Sequence, residues 1–226
     1  MNERLIVHQA RLNVYALFQR LYQDAPDAAL LEWLNAERPF ASFPVELDDA
    51  ASAALRQLDR AASSVQAEDL RADFRRLYVG PGPMQAPPWE SVYRNDEHLL
   101  FDRHTLQVRE FYARHGMEFV RINQMPEDAI SIELEFMRTL TERLLQAIES
   151  GDEAAERILL DEQAAFLSKH LLIWTPTFIA LSQQRAATPF YSALAEALQG
   201  FLAWDEQTLR LLRTSDVDAP AEAPKQ

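Results

Sequence analysis

Histidines and paired carboxylates carry much of the acid–base and metal chemistry of proteins, and this chain arranges neither for it. The histidines are His8, His98, His104, His115 and His170. No two of them lie four residues apart on one helix, so we expect ordinary surface residues. Glu133 and Glu135 point to different faces of a helix and do not form an acid/base pair. Cysteine is absent, which excludes disulfides, thiolate metal sites and cysteine nucleophiles.

Two glycines, Gly80 and Gly82, lie where a phosphate-binding loop could form. Prolines flank both, and proline lacks the N–H group with which such a loop holds phosphate. The sequence contains neither a Gly-Lys-Ser/Thr nor a Gly-x-Ser-x-Gly motif. Nucleotide-binding and hydrolase functions are therefore disfavoured, and we predict no catalytic residue, no metal and no cofactor.

The segment 79–89 is the part of the chain best suited to binding. It holds four prolines and two glycines, so no regular helix passes through it. Trp89 and Tyr93 supply large side chains that a solvated linker does not need. The stiff proline pair and the Trp89 ring suit an apolar or guanidinium partner, and a carboxylate such as Asp128 can bind arginine. These properties fit a peptide that is basic and then apolar; alternatively, Trp89 and Tyr93 only pin a connection between helices.

The rest of the chain has the periodicity of amphipathic helices. Apolar side chains recur every three to four residues from Val7 to Leu21, and the same spacing returns later. The predicted helices span residues 7–21, 28–35, 47–65, 70–78, 105–115, 126–150, 153–172, 175–181 and 189–212. We predict an all-α fold: a single-domain helical bundle over residues 1–214 with a long proline-rich loop, followed by a flexible tail at 215–226.

Prolines mark several of the predicted helix starts. Pro126, Pro176 and Pro189 each fit the beginning of a helix, where a missing N–H costs little. Glu127 and Asp128 suit the positive end of the helix dipole. We therefore expect the strongest helix of the chain to begin at Pro126.

Overall charge and hydropathy indicate the class of partner. The formal net charge of the 226 residues is −13, so the chain repels phosphate backbones and we expect no nucleic-acid partner. An acidic surface suits a basic ligand, although it also serves solubility. No uninterrupted apolar run approaches the roughly 18–20 residues of a membrane span, and the N-terminus lacks the apolar stretch of a secretory signal. We expect a cytoplasmic protein without stable membrane insertion.

Five segments of the sequence resemble motifs of one family. Residues 76–81 and 86–93, Arg-Leu-Tyr-Val-Gly-Pro and Ala-Pro-Pro-Trp-Glu-Ser-Val-Tyr, resemble the "LF-x-GP … PPWGSV(W/Y)" signature of the TorD/DmsD family. Residues 125–129, 171–174 and 188–191 resemble its shorter blocks, so the similarity covers most of the chain. The resemblance implies an all-α bundle and a chaperone for redox enzymes that leave the cytoplasm folded by the twin-arginine route. Such a chaperone covers the signal peptide and keeps the apoenzyme ready for molybdenum-cofactor insertion.

The resemblance also implies which residues bind the signal peptide. They are Leu77, Tyr78, Pro88, Trp89 and Asp128, with Phe74 in support, and we add the neighbouring Tyr93, Pro126 and Glu127. Two positions depart from the family pattern. Ala129 stands where the family usually has a histidine implicated in peptide binding, so the client or binding mode differs. Glu90 replaces the usual glycine, either as a carboxylate for a cationic peptide or as a solvated loop charge.

Other functions within the same resemblance stay open. One is an assembly factor for a molybdoenzyme that is not exported, as in the related NarJ branch. Another is a maturation protein that binds guanine nucleotide or the molybdenum cofactor. The oligomeric state is open between a monomer and a domain-swapped dimer in which segment 79–89 is the hinge.

Overall fold

The computed structural model describes residues 3–95, 100, 103–118 and 126–215, and these form an all-α bundle. The helices are α1 (Glu3–Gln23), α2 (Ala28–Glu37), α3 (Asp49–Ser64), α4 (Ala67–Phe74), α5 (Glu90–Arg94), α6 (Arg103–Arg114), α7 (Ile130–Ser150), α8 (Glu153–Phe166), α9 (Leu172–Arg185) and α10 (Pro189–Ser215). A π-turn, Arg75–Val79, extends α4, and a second, Leu167–Leu171, joins α8 to α9. The all-α prediction is confirmed. The predicted tail lies outside the described residues from 216 onwards.

Helix α1 crosses the middle of the bundle and packs against α7. Its apolar stripe is buried as predicted, with Val14, Phe18 and Leu21 at the centre of the core. The same face also buries Arg11, whose guanidinium donates to Asp205 Oδ2 at 3.1 Å. This ion pair fixes α1 to the last helix of the chain through the protein interior.

Polar contacts also fix α1 to α8. The Arg11 guanidinium donates to Gln163 Oε1 at 2.8 Å. Two turns closer to the start of α1, Arg4 pairs with Glu156. The partners are 152 residues apart in both contacts, so α1 and α8 run parallel. The N-terminal helix is thus held by residues from the second half of the chain.

Helices α3 and α10 approach closely at Gly200. A Cβ atom added to Gly200 would lie 2.2 Å from the Cβ of Ala51, which is not a flexible side-chain end that can move away. The lack of a side chain at this position lets the two helices pack directly against each other.

Substituting Gly200→Ala is expected to destabilise the protein by about 1–3 kcal/mol. The roughly 1 kcal/mol that alanine gains in helix propensity is smaller than the cost of pushing two packed helices apart. Urea unfolding measures the change. The double variant Gly200→Ala/Ala51→Gly removes the clashing methyl group and should recover most of the loss; no recovery would contradict the close approach.

The predicted helix restart at Pro176 is wrong. Helix α9 begins at Leu172 and runs through Pro176. Pro176 is the fifth residue of α9 and lies inside the helix, one turn after the second π-turn. The Thr175 hydroxyl donates to the Leu171 carbonyl at 2.6 Å and stabilises this turn.

The continuous helical stretch Glu153–Arg185 is long and apolar enough by composition to cross a membrane. Of its most apolar window, 44% is buried inside the protein. A core helix of a helical bundle passes the same test, so the stretch is weak evidence for a membrane span.

Candidate functional site

The proline-rich loop folds back onto the π-turn that precedes it. Gly80, with φ at 102°, closes the turn by donating its N–H to the Arg75 carbonyl at 2.7 Å. Farther along the loop, the Ala86 N–H donates to the Leu77 carbonyl at 3.0 Å. A π-turn leaves such carbonyls without their usual helical partners, so the returning loop satisfies them. The loop is therefore held at both of its ends.

The π-turn carries two predicted site residues into the core. Leu77 is fully buried, and the Tyr78 ring centroid lies 5.3 Å from that of Phe74 and 5.7 Å from that of Phe178. The next residue, Val79, is 58% exposed. Phe74, Leu77 and Tyr78 are thus core residues, and Leu77 also binds the loop through its carbonyl.

The end of the loop is paired with the start of α7. Trp89 and Ala129 form an isolated antiparallel bridge. The N–H groups of the residues that follow them donate to the carbonyls of Asp128 and Pro88, both at 2.9 Å. Pro88 and Trp89 keep part of their side chains exposed. The bridge fixes the backbone of this exposed pair.

Asp128 caps the short helix α5. Its carboxylate accepts a hydrogen bond from the Ser91 N–H at 2.7 Å and another from the Thr105 hydroxyl at 3.1 Å. The side chain is fully buried. Burial raises the pKa of Asp128, while these hydrogen bonds oppose the rise. Asp128 therefore joins α5, α6 and the start of α7 instead of facing solvent.

The turn before α7 is attached to α6. Glu127 is fully buried, and its Oε1 accepts a hydrogen bond from Arg109 Nη2 at 2.7 Å. Its carbonyl accepts another from the Tyr112 hydroxyl at 3.1 Å. The prediction that α7 begins at Pro126 is wrong: the helix begins at Ile130, because the three preceding residues make these contacts in a turn.

Glu90 lies in a buried polar cluster directly behind Trp89. Its Oε2 lies 2.9 Å from His170 Nδ1 on the second π-turn, and its carboxylate also pairs with Arg94. Glu133 of α7 lies beside it and accepts a hydrogen bond from Trp174 Nε1 at 3.1 Å. Because Glu90 is fully buried, the interpretation as a solvated loop charge is wrong.

Tyr93 completes the attachment of the loop to α9. Its ring stacks on Trp174 with centroids 5.5 Å apart and planes 25° apart. Its hydroxyl donates to the Pro87 carbonyl at 2.7 Å. Tyr93 thus links the proline pair to α9, while its own side chain remains partly exposed.

The sequence matches the family model for the nitrate reductase delta subunit over residues 45–180. It is 31% identical over 208 residues to the chaperone protein TorD of Psychrobacter sp. (strain PRwf-1), which covers 88% of this chain and 91% of that one. The chain belongs to the TorD/DmsD family of redox enzyme maturation proteins. The Tat proofreading chaperone DmsD of Salmonella typhi is 30% identical over 143 residues, 63% of each chain. The crystal structure of a proposed redox enzyme maturation protein from Archaeoglobus fulgidus covers 88% of this chain and 93% of its own, with 17% identity and a TM-score of 0.49.

Membership of the TorD/DmsD family makes this protein a chaperone of molybdoenzyme maturation. The family position usually taken by histidine is Ala129, which is buried and contributes only backbone contacts to the bridge. The predicted site residues fall into two groups. Three are partly exposed, namely Pro88, Trp89 and Tyr93, and six are buried, namely Phe74, Leu77, Tyr78, Pro126, Glu127 and Asp128.

The residues that sequence analysis missed lie in the polar cluster. Glu133 falls within the apolar stripe of α7, between Ile130 and Met137, and that position was a usable sign of burial. His170 lies four residues before Trp174, so both side chains reach the same side of the helix. The expectation that the histidines are surface residues is wrong for His8, His104 and His170, which are buried.

Four carboxyl groups converge on one tyrosine. Burial raises the pKa of Tyr112 well above its usual range, and Glu133, Asp128, Glu90 and Glu127 add to the rise. Within the described residues, no group of three or more His, Asp or Glu side chains is placed to hold a metal ion. The carboxyl groups of the cluster contact arginine, histidine and indole nitrogens.

Substituting Glu133→Gln is expected to stabilise the protein increasingly as the pH rises. Burial, followed by the neighbouring Glu90, raises the pKa of Glu133 well above its usual range. The folded protein therefore keeps a proton that the unfolded chain has lost, and wild-type stability falls from the ordinary glutamate pKa upwards. Glutamine can donate to Glu90 and accept from Trp174 without carrying a charge.

Urea unfolding at about pH 5 and pH 8 measures this difference. The exposed Glu135→Gln on the same helix is the control and should show no such dependence. A stability gap that is equal at both pH values would contradict a protonated Glu133 in the folded state.

Proposed function

We propose that this protein binds the twin-arginine signal peptide of a molybdenum-cofactor oxidoreductase and holds the apoenzyme for cofactor insertion before export. The observation that carries the proposal is the Pro88–Trp89 segment, which stays partly exposed while its backbone is bonded to the start of α7. A relative of this chain is a Tat proofreading chaperone.

A rigid segment of this kind suits an extended or helical peptide. Because the bridge and the Tyr93 hydroxyl already hold the backbone, little conformational entropy is lost on binding. The Trp89 ring offers a face for an apolar side chain or an arginine. The net charge of −13 attracts a basic peptide at longer range.

The buried members of the predicted site have a positioning role in this proposal. Asp128 and Glu127 hold α5, α6 and the turn before α7 together. Leu77 and Tyr78 are buried where the loop begins, and the Leu77 carbonyl binds the loop. Direct contact with the peptide is assigned to Pro88, Trp89 and Tyr93. The partner is the apo form of the client, and the chaperone acts without catalysis.

We place this function in the cytoplasm, where the client still carries its signal. A monomer is sufficient for it, since the contact residues come from a single short stretch of chain. In the domain-swapped alternative, segment 79–89 is the hinge. Nucleic acid plays no part in the proposal.

A second candidate is an assembly factor for a molybdoenzyme that stays in the cytoplasm. The matching family model, nitrate reductase delta subunit, favours it. The neighbouring reading frame discriminates between the two candidates: a molybdoenzyme with an Arg-Arg pair near its start supports signal-peptide binding, and one without it supports the second candidate.

Substituting Trp89→Ala is expected to weaken binding of the adjacent molybdoenzyme's signal peptide by at least about tenfold. The variant removes the partly exposed ring and leaves the backbone bridge in place. Isothermal titration calorimetry measures the affinity, and wild type should bind in the micromolar range, about −8 kcal/mol. Asp128→Ala should also weaken binding, by releasing α5.

The matched control is Trp33→Ala, since Trp33 is 45% exposed on α2 and should leave the affinity unchanged. A peptide with Lys-Lys in place of Arg-Arg tests the arginine requirement. Equal affinities for wild type and Trp89→Ala, or no binding of either peptide, would remove the support for this site.

A further inference from the structure

The outward face of α9 is an exposed, uncharged stripe. The inner face of the helix is packed, with Trp174, Phe178 and Ile179 buried. The outer face presents four residues spaced three and four apart, which places them in one row. This α9 stripe consists of Ile173, which is 49% exposed, and the exposed Pro176, Thr177 and Ala180.

Positive charge stands at both ends of the α9 stripe. Lys169 precedes it and Arg185 follows it, and both are exposed. Arginines from other helices join them: Arg94 Nη1 donates to the Lys169 carbonyl at 3.0 Å, and Arg76 donates to the Arg185 carbonyl.

The stretch of sequence around the α9 stripe lacks acidic residues, although Glu196 of α10 accepts a hydrogen bond from Gln183 near the end of α9. Residues 163–195 include no aspartate or glutamate, although the whole chain has 35. The carboxylates that pair with Arg76 and Arg94 are Asp73 and Glu90, whose side chains are 1% and 0% exposed. Solvent therefore meets a positive, apolar surface on a protein whose net charge is −13.

We propose that the α9 stripe is a docking surface for an acidic amphipathic helix of a partner protein. Lys169 and Arg185 are 16 residues apart, or about 24 Å at 1.5 Å per residue. A complementary helix that reaches both ends needs about four to five turns, with an apolar row and with carboxylates at both ends. The small side chains at 177 and 180 let a helix axis approach closely. This surface goes beyond the proposed signal-peptide function, which uses the Trp89 segment and a basic ligand.

A protein partner fits the stripe better than a lipid surface. Helices that adsorb to membranes usually present bulky aromatic and leucine side chains, whereas this row contains only one large aliphatic residue, Ile173. Complementary charges at the ends of a helix also fix its register, a feature that a membrane does not need.

The test uses two designed helical peptides of about 18 residues, with alanine and leucine along one face. One carries glutamates near both ends, and its twin carries lysines in their place. Fluorescence anisotropy with the full-length protein should show binding of the acidic peptide at least about tenfold tighter than of the basic one, weakening as salt rises. Ala180→Glu should abolish this preference, and Lys169→Glu/Arg185→Glu should reverse it.

Leu211→Glu, at a residue 66% exposed on α10, is the matched control and should bind like wild type. Circular dichroism confirms that each variant is folded. Equal binding of both peptides, or binding of neither, overturns the proposal. So does binding of anionic phospholipid vesicles in place of the acidic peptide, or self-association that Ala180→Glu abolishes. Calorimetry of Ala180→Glu with the signal peptide keeps the two proposals distinguishable, since the variant should leave that affinity unchanged.

Discussion

Substituting Arg11→Ala is expected to lower the free energy of unfolding by about 3–5 kcal/mol. The guanidinium is fully buried and binds both Asp205 and Gln163. Its removal leaves the Asp205 carboxylate in the core with a hydrogen bond from the Tyr15 hydroxyl, at 2.6 Å, in place of a full ion pair. Urea unfolding followed by circular dichroism measures the loss as a lower midpoint.

The control is Arg210→Ala, whose side chain is 70% exposed and pairs with Glu206 at 3.1 Å. Its expected cost is below about 1 kcal/mol, because water screens the pair. The double variant Arg11→Met/Asp205→Leu should be more stable than Arg11→Ala, since it leaves no unpaired buried charge. If Arg11→Ala and Arg210→Ala cost the same, the buried pair contributes no more than a surface pair.

Substituting Asp73→Ala is expected to destabilise the protein by about 2–4 kcal/mol. The Asp73 carboxylate is buried near the end of α4, two residues before the first π-turn, and joins three elements. It accepts hydrogen bonds from the N–H groups of Ala187 and Thr188, at 2.9 and 2.7 Å, and from the Thr188 hydroxyl at 2.9 Å. It also pairs with Arg76 at 2.8 Å. The variant leaves the start of α10 without its cap.

Asp152→Ala is the matched control for Asp73→Ala. Asp152 is an exposed helix cap that accepts one hydrogen bond, from the Ala155 N–H at 3.0 Å. Its loss should cost about 1 kcal/mol. Thermal unfolding of both variants measures the difference, and a cost for Asp73→Ala as small as the control's would show that solvent replaces the lost bonds.

The apolar half of the fold could be predicted from local spacing. Val14, Phe18 and Leu21 recur at helical intervals, and they lie in the core. Arg11 lies on the same face, and that position was a sign of burial, as it was for Glu133, but the sequence did not indicate what the guanidinium binds. Its partner Asp205 is 194 residues away, and a pair at that separation becomes visible only when the helices are assembled.

The proline-rich loop could be predicted from the sequence, but the contacts that hold it could not. The proline pair and Trp89 marked the loop, yet the sequence did not show that Asp128 turns inward to cap α5. The same contact explains why Pro126 does not begin α7. Local spacing gives no reason to expect Glu90 to be buried, because one of its two partners, His170, lies 80 residues away on the second π-turn. Which of these residues touch a signal peptide stays a prediction.

The parallel pairing of α1 with α8, together with the Arg11–Asp205 pair, has a consequence for synthesis on the ribosome. Translation proceeds at about 5–20 residues per second, so Asp205 is made about 10–40 s after Arg11. Until α7 and α8 are made within that interval, α1 has none of its second-half partners, and its apolar face is open to other molecules. The nascent chain of this chaperone therefore passes through a period in which it has the same need for protection that its clients have.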